Sequence, residues 1–353
     1  MPTIAPGSKV FVTGANGFIA VWVIKTLLEQ GYAVRGAVRS KSKGAFLLDE
    51  FRSYGDRFEL VIIDDFRKEG AFDEAVKGVD AIHHIAAPVF ANCKDPKEMI
   101  DPVVKGTLEI LRSAQRASSV KRVILMGSVS AVTRNDVDRP FDENDWNKAS
   151  VEELEKKGVD APAVAIYQAM KVISEKTAWS FYNENKSKLG WDLNVLLPPL
   201  VFGPYIGVAS TPNEMNYSSK MFYDYVVAFN SLGQPNEALV SMAAPWIDIR
   251  DLSFAMVKLL SVEAAGERII VSTEGLHTMQ EWVDIANSLS PSPIPSHAPG
   301  TSKALPVGNP GAKKAVKMPP LDTSKEKRII GLKYRTMEEC VRDTLADYER
   351  RRW

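Results

Sequence analysis

Short apolar runs and longer stretches with apolar residues at helical spacing alternate along the first two hundred residues. Val10, Phe11 and Val12 form the first run, of the β-branched and aromatic type that buried strands favour. Residues 18–30 follow with Ile19, Val23 and Leu27 at helical intervals, Gly31 stops them, and 32–38 read as a second strand. The rhythm continues through a helical stretch at 43–55, a third strand at 58–63, a short helix at 69–77 ended by Gly78 and a fourth strand at 79–85. A long helix at 95–117, a fifth strand at 121–127, a polar insertion at 132–162 with one short helix, a long helix at 163–185 and a sixth strand at 193–197 complete it. Strands and helices in this order predict an α/β protein with a doubly wound parallel sheet, whose ligands bind outside the carboxyl ends of the strands.

The pattern changes beyond residue 200. Residues 205–250 are mixed and aromatic, followed by a helix at 252–260, a short strand at 268–272 and a helix at 278–289. Residues 291–320 hold 8 of the chain's 21 prolines and read as irregular surface. The tail, 336–351, is helical, with Met337, Val341, Leu345 and Tyr348 at core spacing. The division expected is a nucleotide-binding domain over 1–200, to which segments near 240–275 return, and a smaller, mainly substrate-binding region over 201–353. No internal repeat is visible.

The first strand and helix are joined by Thr13-Gly14-Ala15-Asn16-Gly17, giving Gly14-x-x-Gly17-x-x-Ala20. A glycine turn that opens a helix presents free backbone N–H groups at the positive end of the helix dipole, where a pyrophosphate sits. The turn lies between a strand and a helix, the context that gives such a pattern meaning. The second strand ends in Arg39-Ser40-Lys41-Ser42-Lys43, with no acid to hold a ribose 2′-hydroxyl. Bases there suit a 2′-phosphate, so the cofactor expected is NADP(H), with Arg39 first and Lys43 second as its ligands. Asp65, ending the third strand, is placed to accept from an adenine amino group. Ala86 and Ala87, ending the fourth, let a ligand lie against the backbone. The adjacent His83 and His84 point to opposite faces of their strand and cannot chelate one metal together, and no metal site is expected.

Composition adds exclusions. Lys plus Arg and Asp plus Glu number 44 each, so net charge argues for no nucleic-acid partner. Two cysteines make no disulfide framework, and the N-terminus has no signal-peptide pattern. No run reaches the ~20 apolar residues of a membrane helix. A cytoplasmic protein is expected, working as a monomer or homodimer on a small molecule.

The chemistry centres on Tyr167-x-x-x-Lys171 in the 163–185 helix. Positions i and i+4 share a helix face. An ammonium near a phenol favours phenolate and draws its pKa down from ~10, suiting the Tyr to proton transfer at a carbonyl oxygen. The same helix holds a second copy, Tyr182-x-x-x-Lys186. The two tyrosines lie roughly 22 Å apart along the axis, so both cannot serve one site. Tyr167, near the helix start, is the choice; Tyr182 is expected to be solvated. Ser128, at the mouth of the fifth strand, can hold the substrate oxygen, with Ser130 as competitor or pocket lining.

TGANGFIA at 13–20, the strand-end serine, YQAMK at 167–171 and LPPLVFGP at 197–204 together resemble the extended short-chain dehydrogenase/reductases. The narrower likeness is to the group of dihydroflavonol reductases and fungal NADPH-dependent aldehyde, ketone and methylglyoxal reductases. It extends over nearly the whole chain. The resemblance implies a Rossmann-type fold with Ser128, Tyr167 and Lys171 as catalytic triad. It also implies that Gly14, Asn16, Gly17, Phe18 and Ile19 hold the pyrophosphate, and that Pro198, Leu200 and Val201 lie near the nicotinamide amide. Lys171 would also bind the nicotinamide ribose. Three positions depart from the pattern. Met126-Gly127 stands where the group has Thr-Ser, Ala87 replaces a Ser or Thr, and Val103 stands near a helix Asn found in many short-chain enzymes. An enzyme engineered for a bulkier ketone is one reading of these.

The function expected is NADPH-dependent reduction of a ketone or aldehyde, in a pocket with Phe90, Tyr205, Phe222 and Trp246 as candidate walls. One alternative is a sugar-nucleotide epimerase or dehydratase. It needs bases for a diphosphate, and residues 205–250 hold only Lys220 and Arg250. The other is a non-catalytic NADPH-sensing module, which has no need of the triad.

Overall fold

The computed structural model describes residues 3–86, 95–134, 137–312 and 318–353. Seven strands form one parallel sheet: β1 (Lys9–Thr13), β2 (Ala33–Val38), β3 (Phe58–Ile62), β4 (Ala81–His84), β5 (Arg122–Met126), β6 (Asp192–Leu197) and β10 (Arg268–Ile270). Their order is β10-β6-β5-β4-β1-β2-β3. The chain moves outward from β1 to β3 and then returns to β4 on the other side of β1. The strand ends diverge there, which makes the β1/β4 boundary the place for a ligand cleft.

Helices cover both faces. α1 (Phe18–Glu29), α2 (Lys41–Glu50) and α8 (Ile249–Ser261) pack on one, and α3 (Lys97–Arg116) and α5 (Ala163–Asn185) on the other. β5 and β6 are fully buried, and their apolar runs, 123–126 and 195–197, suit a sheet covered on both sides. α4 (Lys148–Lys157) is the short helix of the polar insertion.

β7 (Leu200–Phe202) pairs with β9 (Trp246–Asp248), and β8 (Ala243–Ala244) with β11 (His277–Thr278). α6 (Tyr217–Val226), α7 (Glu237–Ser241), α9 (Met279–Ser288), α10 (Ser324–Ile329) and α11 (Met337–Arg351) complete the C-terminal part. Here Phe202, Phe222, Trp246, Trp282 and Tyr348 are buried together in a separate core. Reciprocal capping boxes, Thr278 with Glu281 and Thr336 with Glu339, start α9 and α11. β10 and α8 carry the chain back to the sheet.

One expected helix is absent. Residues 69–77 form successive turns, because Gly70 at φ +70° breaks the helical path and most of the bonds are three-residue ones such as Asp73 N to Gly70 O, 3.0 Å. Asp73 is then free to accept from Ser113 and Arg116 of α3, both at 2.6 Å.

His83 is fully buried, and neither ring nitrogen has a hydrogen-bond partner among the described residues. Burial pushes its pKa down to about 3. The unfolded chain takes up that proton near pH ~6.5 and the folded chain does not, so acid drives unfolding as pH falls through this window. The expected slope is about 1.4 kcal/mol per pH unit for this one group. Urea unfolding at about pH 5 and about pH 7.5 is expected to show a smaller acid loss in His83→Leu than in the parent. Equal losses would mean that His83 titrates normally in the fold.

Candidate active site

The site begins where β1 ends. Gly14 has φ +65°, and a Cβ there would lie 3.1 Å from both the Cα and Cβ of Ala86. A Cβ on Gly17 would lie 3.2 Å from Gly14 O. The turn therefore lies bare against the end of β4. Thr13 Oγ1 seals it, accepting from the backbone N–H of Ile85 at 3.0 Å and of Ala86 at 3.1 Å. Gly17 caps α1 without a side-chain bond, which leaves the first N–H groups of that helix for a ligand.

A cleft of about 670 Å³ opens over this turn. Of the residues singled out in the sequence, Gly14, Asn16, Gly17, Phe18, Ile19, Arg39, Asp65 and Ala86 line it. Arg39 is exposed at the end of β2 and has no side-chain partner among the described residues. Lys43 is exposed on α2 and is not part of the lining. Asp65 is engaged: Arg67 grips it through Nε at 2.7 Å, a second guanidinium nitrogen at 2.9 Å and its backbone N–H at 2.9 Å. Those contacts hold its carboxyl down at about 2. They occupy three of its roughly four lone-pair sites and leave one for a ligand. Ala87 and Phe90 lie outside the described residues.

The second half of the site comes from β5 and α5. Ser128, buried just past β5, accepts from Ser130 N–H at 3.1 Å and so caps the turn over 129–131. Its own proton stays free to donate. Val129 N–H donates to Pro198 O at 3.1 Å, tying the ends of β5 and β6 together. Gly127 has no room for a side chain: a Cβ would lie 2.5 Å from Leu197 Cδ2 and 3.0 Å from Val195 Cγ1. On α5, Lys171 is buried with Nζ 5.9 Å from the centre of the Tyr167 ring. His84 and Ala86 wall both the large cleft and a small chamber bordered by Lys171, which puts Lys171 beside the cleft.

Other expected site residues are placed elsewhere. Tyr182 is buried rather than solvated, at 2 % exposure, with its ring 6.0 Å from Trp179 and 5.8 Å from Trp191. Burial raises its phenol pKa, the reverse of what proton transfer needs. Phe222 and Trp246 belong to the C-terminal core, their rings 5.5 and 4.7 Å from that of Trp282. Tyr205 stacks on Phe18 at 5.8 Å and takes Arg351 on its carbonyl, so it joins α1 to α11. None of these three lines the cleft. Val201 is also core, and Leu200 is half-buried.

Sequence reasoning passed over Thr13, His84, Phe66, Arg67 and Asn216, all of which line the cleft. Arg67 had a signal, a base two residues past a strand-end acid. Asn216, from the start of α6, had none. Among the described residues no cluster of His, Cys, Asp or Glu is arranged to hold a metal, and no helix is long and apolar enough to cross a membrane.

The glycine turn thus lies at the switch point of the parallel sheet, with Lys171 beside its cleft and Tyr167 one helical turn before Lys171 on α5. The chain belongs to the NAD-dependent epimerase/dehydratase family, whose pattern matches residues 10–271, and within it to the extended short-chain dehydrogenase/reductases. Among its relatives, the NADPH-dependent methylglyoxal reductase Gre2 of Saccharomyces cerevisiae is 32% identical over 96% of this chain and 97% of its own. The ketoreductase azaE of Aspergillus niger is 31% identical over 96% of each. The crystal structure of yeast methylglyoxal/isovaleraldehyde reductase Gre2 complexed with NADPH superposes with a TM-score of 0.80. It is 30% identical, over 97% of this chain and 99% of that one.

Gly14→Ala forces a side chain into a left-handed backbone position and against Ala86. It is expected to lower stability by about 1–2 kcal/mol and to weaken dinucleotide binding. Thermal unfolding and cofactor titration of the variant check both; unchanged values would show that the turn tolerates a side chain.

Proposed function

We propose that this chain is an NADPH-dependent carbonyl reductase that converts a ketone or aldehyde to an alcohol. The observation that carries the reading is the continuity of the site. The glycine-turn cleft has at one end Arg39, with no side-chain partner among the described residues, and at the other it meets, through His84 and Ala86, a chamber bordered by Lys171 of α5, whose Nζ lies 5.9 Å from the centre of the Tyr167 ring. The bare turn and open helix start fit a pyrophosphate, and Arg39 fits a 2′-phosphate with a bidentate guanidinium. Lys43 is near enough in sequence to add charge from solvent. Asp65 retains one acceptor position toward an adenine amino group.

When bound, the nicotinamide would supply hydride to the carbonyl carbon. The Ser128 hydroxyl hydrogen-bonds to the carbonyl oxygen, keeping its own proton, and fixes the oxygen's place. Tyr167 delivers a proton to that oxygen as negative charge gathers there. The Lys171 ammonium, one helical turn away, stabilises the charge left on the phenol oxygen and, in this reading, also binds the nicotinamide ribose. Pro198, Leu200 and Val201, after β6, supply backbone toward the nicotinamide amide, and Ser130 borders the substrate side.

An epimerase or dehydratase acting on a sugar nucleotide is disfavoured by the fate of the two bases in 205–250. Lys220 is paired with Asp224 at 2.5 Å, and Arg250 with Asp248 at 2.8 Å and with Asp343. Neither is left for a diphosphate.

Tyr167→Phe is expected to cut kcat by about 10²- to 10⁴-fold while NADPH still binds. Arg39→Ala is expected to raise the Kd for NADPH by about 10- to 100-fold and to leave that for NADH nearly unchanged. Steady-state rates with aryl ketones, keto esters and aldehydes, beside titrations of both cofactors, check the two together. A fully active Tyr167→Phe enzyme contradicts the proposed proton donor.

A further inference from the structure

Behind Lys171 lies a chamber of about 10 Å³, walled by His84 from β4, Thr107 from α3, Met126 from β5 and Lys171, Ser174 and Glu175 from α5. A single water needs roughly that space and two to four polar partners. What His84 offers the chamber is fixed by Thr13. The Thr13 oxygen already accepts from two backbone N–H groups, so its own proton goes to His84 Nδ1, 3.0 Å away. Burial, with the charge of Lys171 beside it, pushes the His84 pKa down to about 4 and keeps the ring neutral. A neutral imidazole that accepts at Nδ1 carries its proton on Nε2. That Nε2–H has no protein partner among the described residues, and the ring borders both the chamber and the cofactor cleft.

The other walls complete the set. Ser174 donates to Lys171 O at 3.3 Å, which leaves its oxygen as an acceptor. Glu175 is taken by Arg268 at 2.6 Å and Trp179 at 3.2 Å. Among the described residues, Lys171 and Glu175 are the only charged groups on the chamber, and α3 and β5 contribute none.

We propose that this chamber holds one ordered water, anchored by His84 Nε2–H and Lys171 Nζ, and that His84 is a positioning residue that sets the Lys171 ammonium toward Tyr167. The water accepts from both and donates to Ser174 or Thr107. The inference rests on the proposed roles of Tyr167 and Lys171.

His84→Leu removes the donor. It is expected to lower kcat about 10- to 100-fold and to displace the pH profile of kcat, with the Kd for NADPH within about threefold of the parent. His84→Gln, whose amide reaches the Nε2 position, is expected to restore much of the loss. A parental pH profile in His84→Leu overturns the proposal. So does weakened NADPH binding with an unmoved profile, which makes His84 a cofactor contact. A crystal structure of the parent enzyme needs no variant to fold: a water within hydrogen-bonding distance of both His84 Nε2 and Lys171 Nζ is expected, and a dry chamber overturns the assignment. Activity retained in Tyr167→Phe would instead refute the reaction itself, and is read separately.

Discussion

The Thr13 hydroxyl, which accepts from Ile85 and Ala86 and donates to His84, holds the ends of β1 and β4 together where the strand order turns. The approach is possible because residue 14 is a glycine with a left-handed backbone and residue 86 is an alanine. A larger group at either position would prise the two strand ends apart. Closed in this way, they leave a cleft whose floor is backbone and whose positive pole is the start of α1. The same hydroxyl fixes the tautomer of His84, and so connects the cofactor floor to the lysine behind it.

The helix α5, which carries the proposed proton donor, is held by a different device. Arg268, on the edge strand β10, forks onto Glu175 of α5 at 2.6 and 3.2 Å and donates to the carbonyls of Glu143 and Asp145. Arg122, fully buried on β5, forks onto Asp192 of β6 at 2.8 Å and reaches carbonyls beyond α8, including Val262 at 2.9 Å. Buried charges persist only when paired and hydrogen-bonded, and each guanidinium group is paired with a carboxylate and bonded through all three of its nitrogens. Together they lock the returning C-terminal segments to the sheet and α5 to its edge. Lys171 is thereby held beside the cleft, with Tyr167 one helical turn before it.

How much of this could be read beforehand depended on the range of the interaction. The βαβ start was legible because its signals are local: an apolar run, a glycine turn and a helical period. The turns at 69–77 have the apolar spacing of a helix, and a Gly at the second position counts for little in that pattern, though its left-handed backbone breaks the helical path. Tyr182 looked solvated among Asn183, Glu184 and Asn185, but its ring turns inward onto Trp191, a neighbour invisible to helical spacing. Phe222 and Trp246 show the same limit. An aromatic residue after the catalytic segment suits a pocket wall or a second core equally well, and only the position of Trp282 decides. The roles of His84 and Thr13 depend on one side-chain hydrogen bond across 71 residues, which no sequence pattern announces.

The most direct test of the account follows the hydride itself. NADPH carrying deuterium at the transferable position would be incubated with the enzyme and an aryl ketone or keto ester, and the product examined by mass spectrometry and NMR. The account predicts an alcohol with deuterium on the carbinol carbon, one equivalent for each NADPH consumed. NADPH that binds without being consumed across ketones, keto esters and aldehydes, or an alcohol without the label, would contradict it.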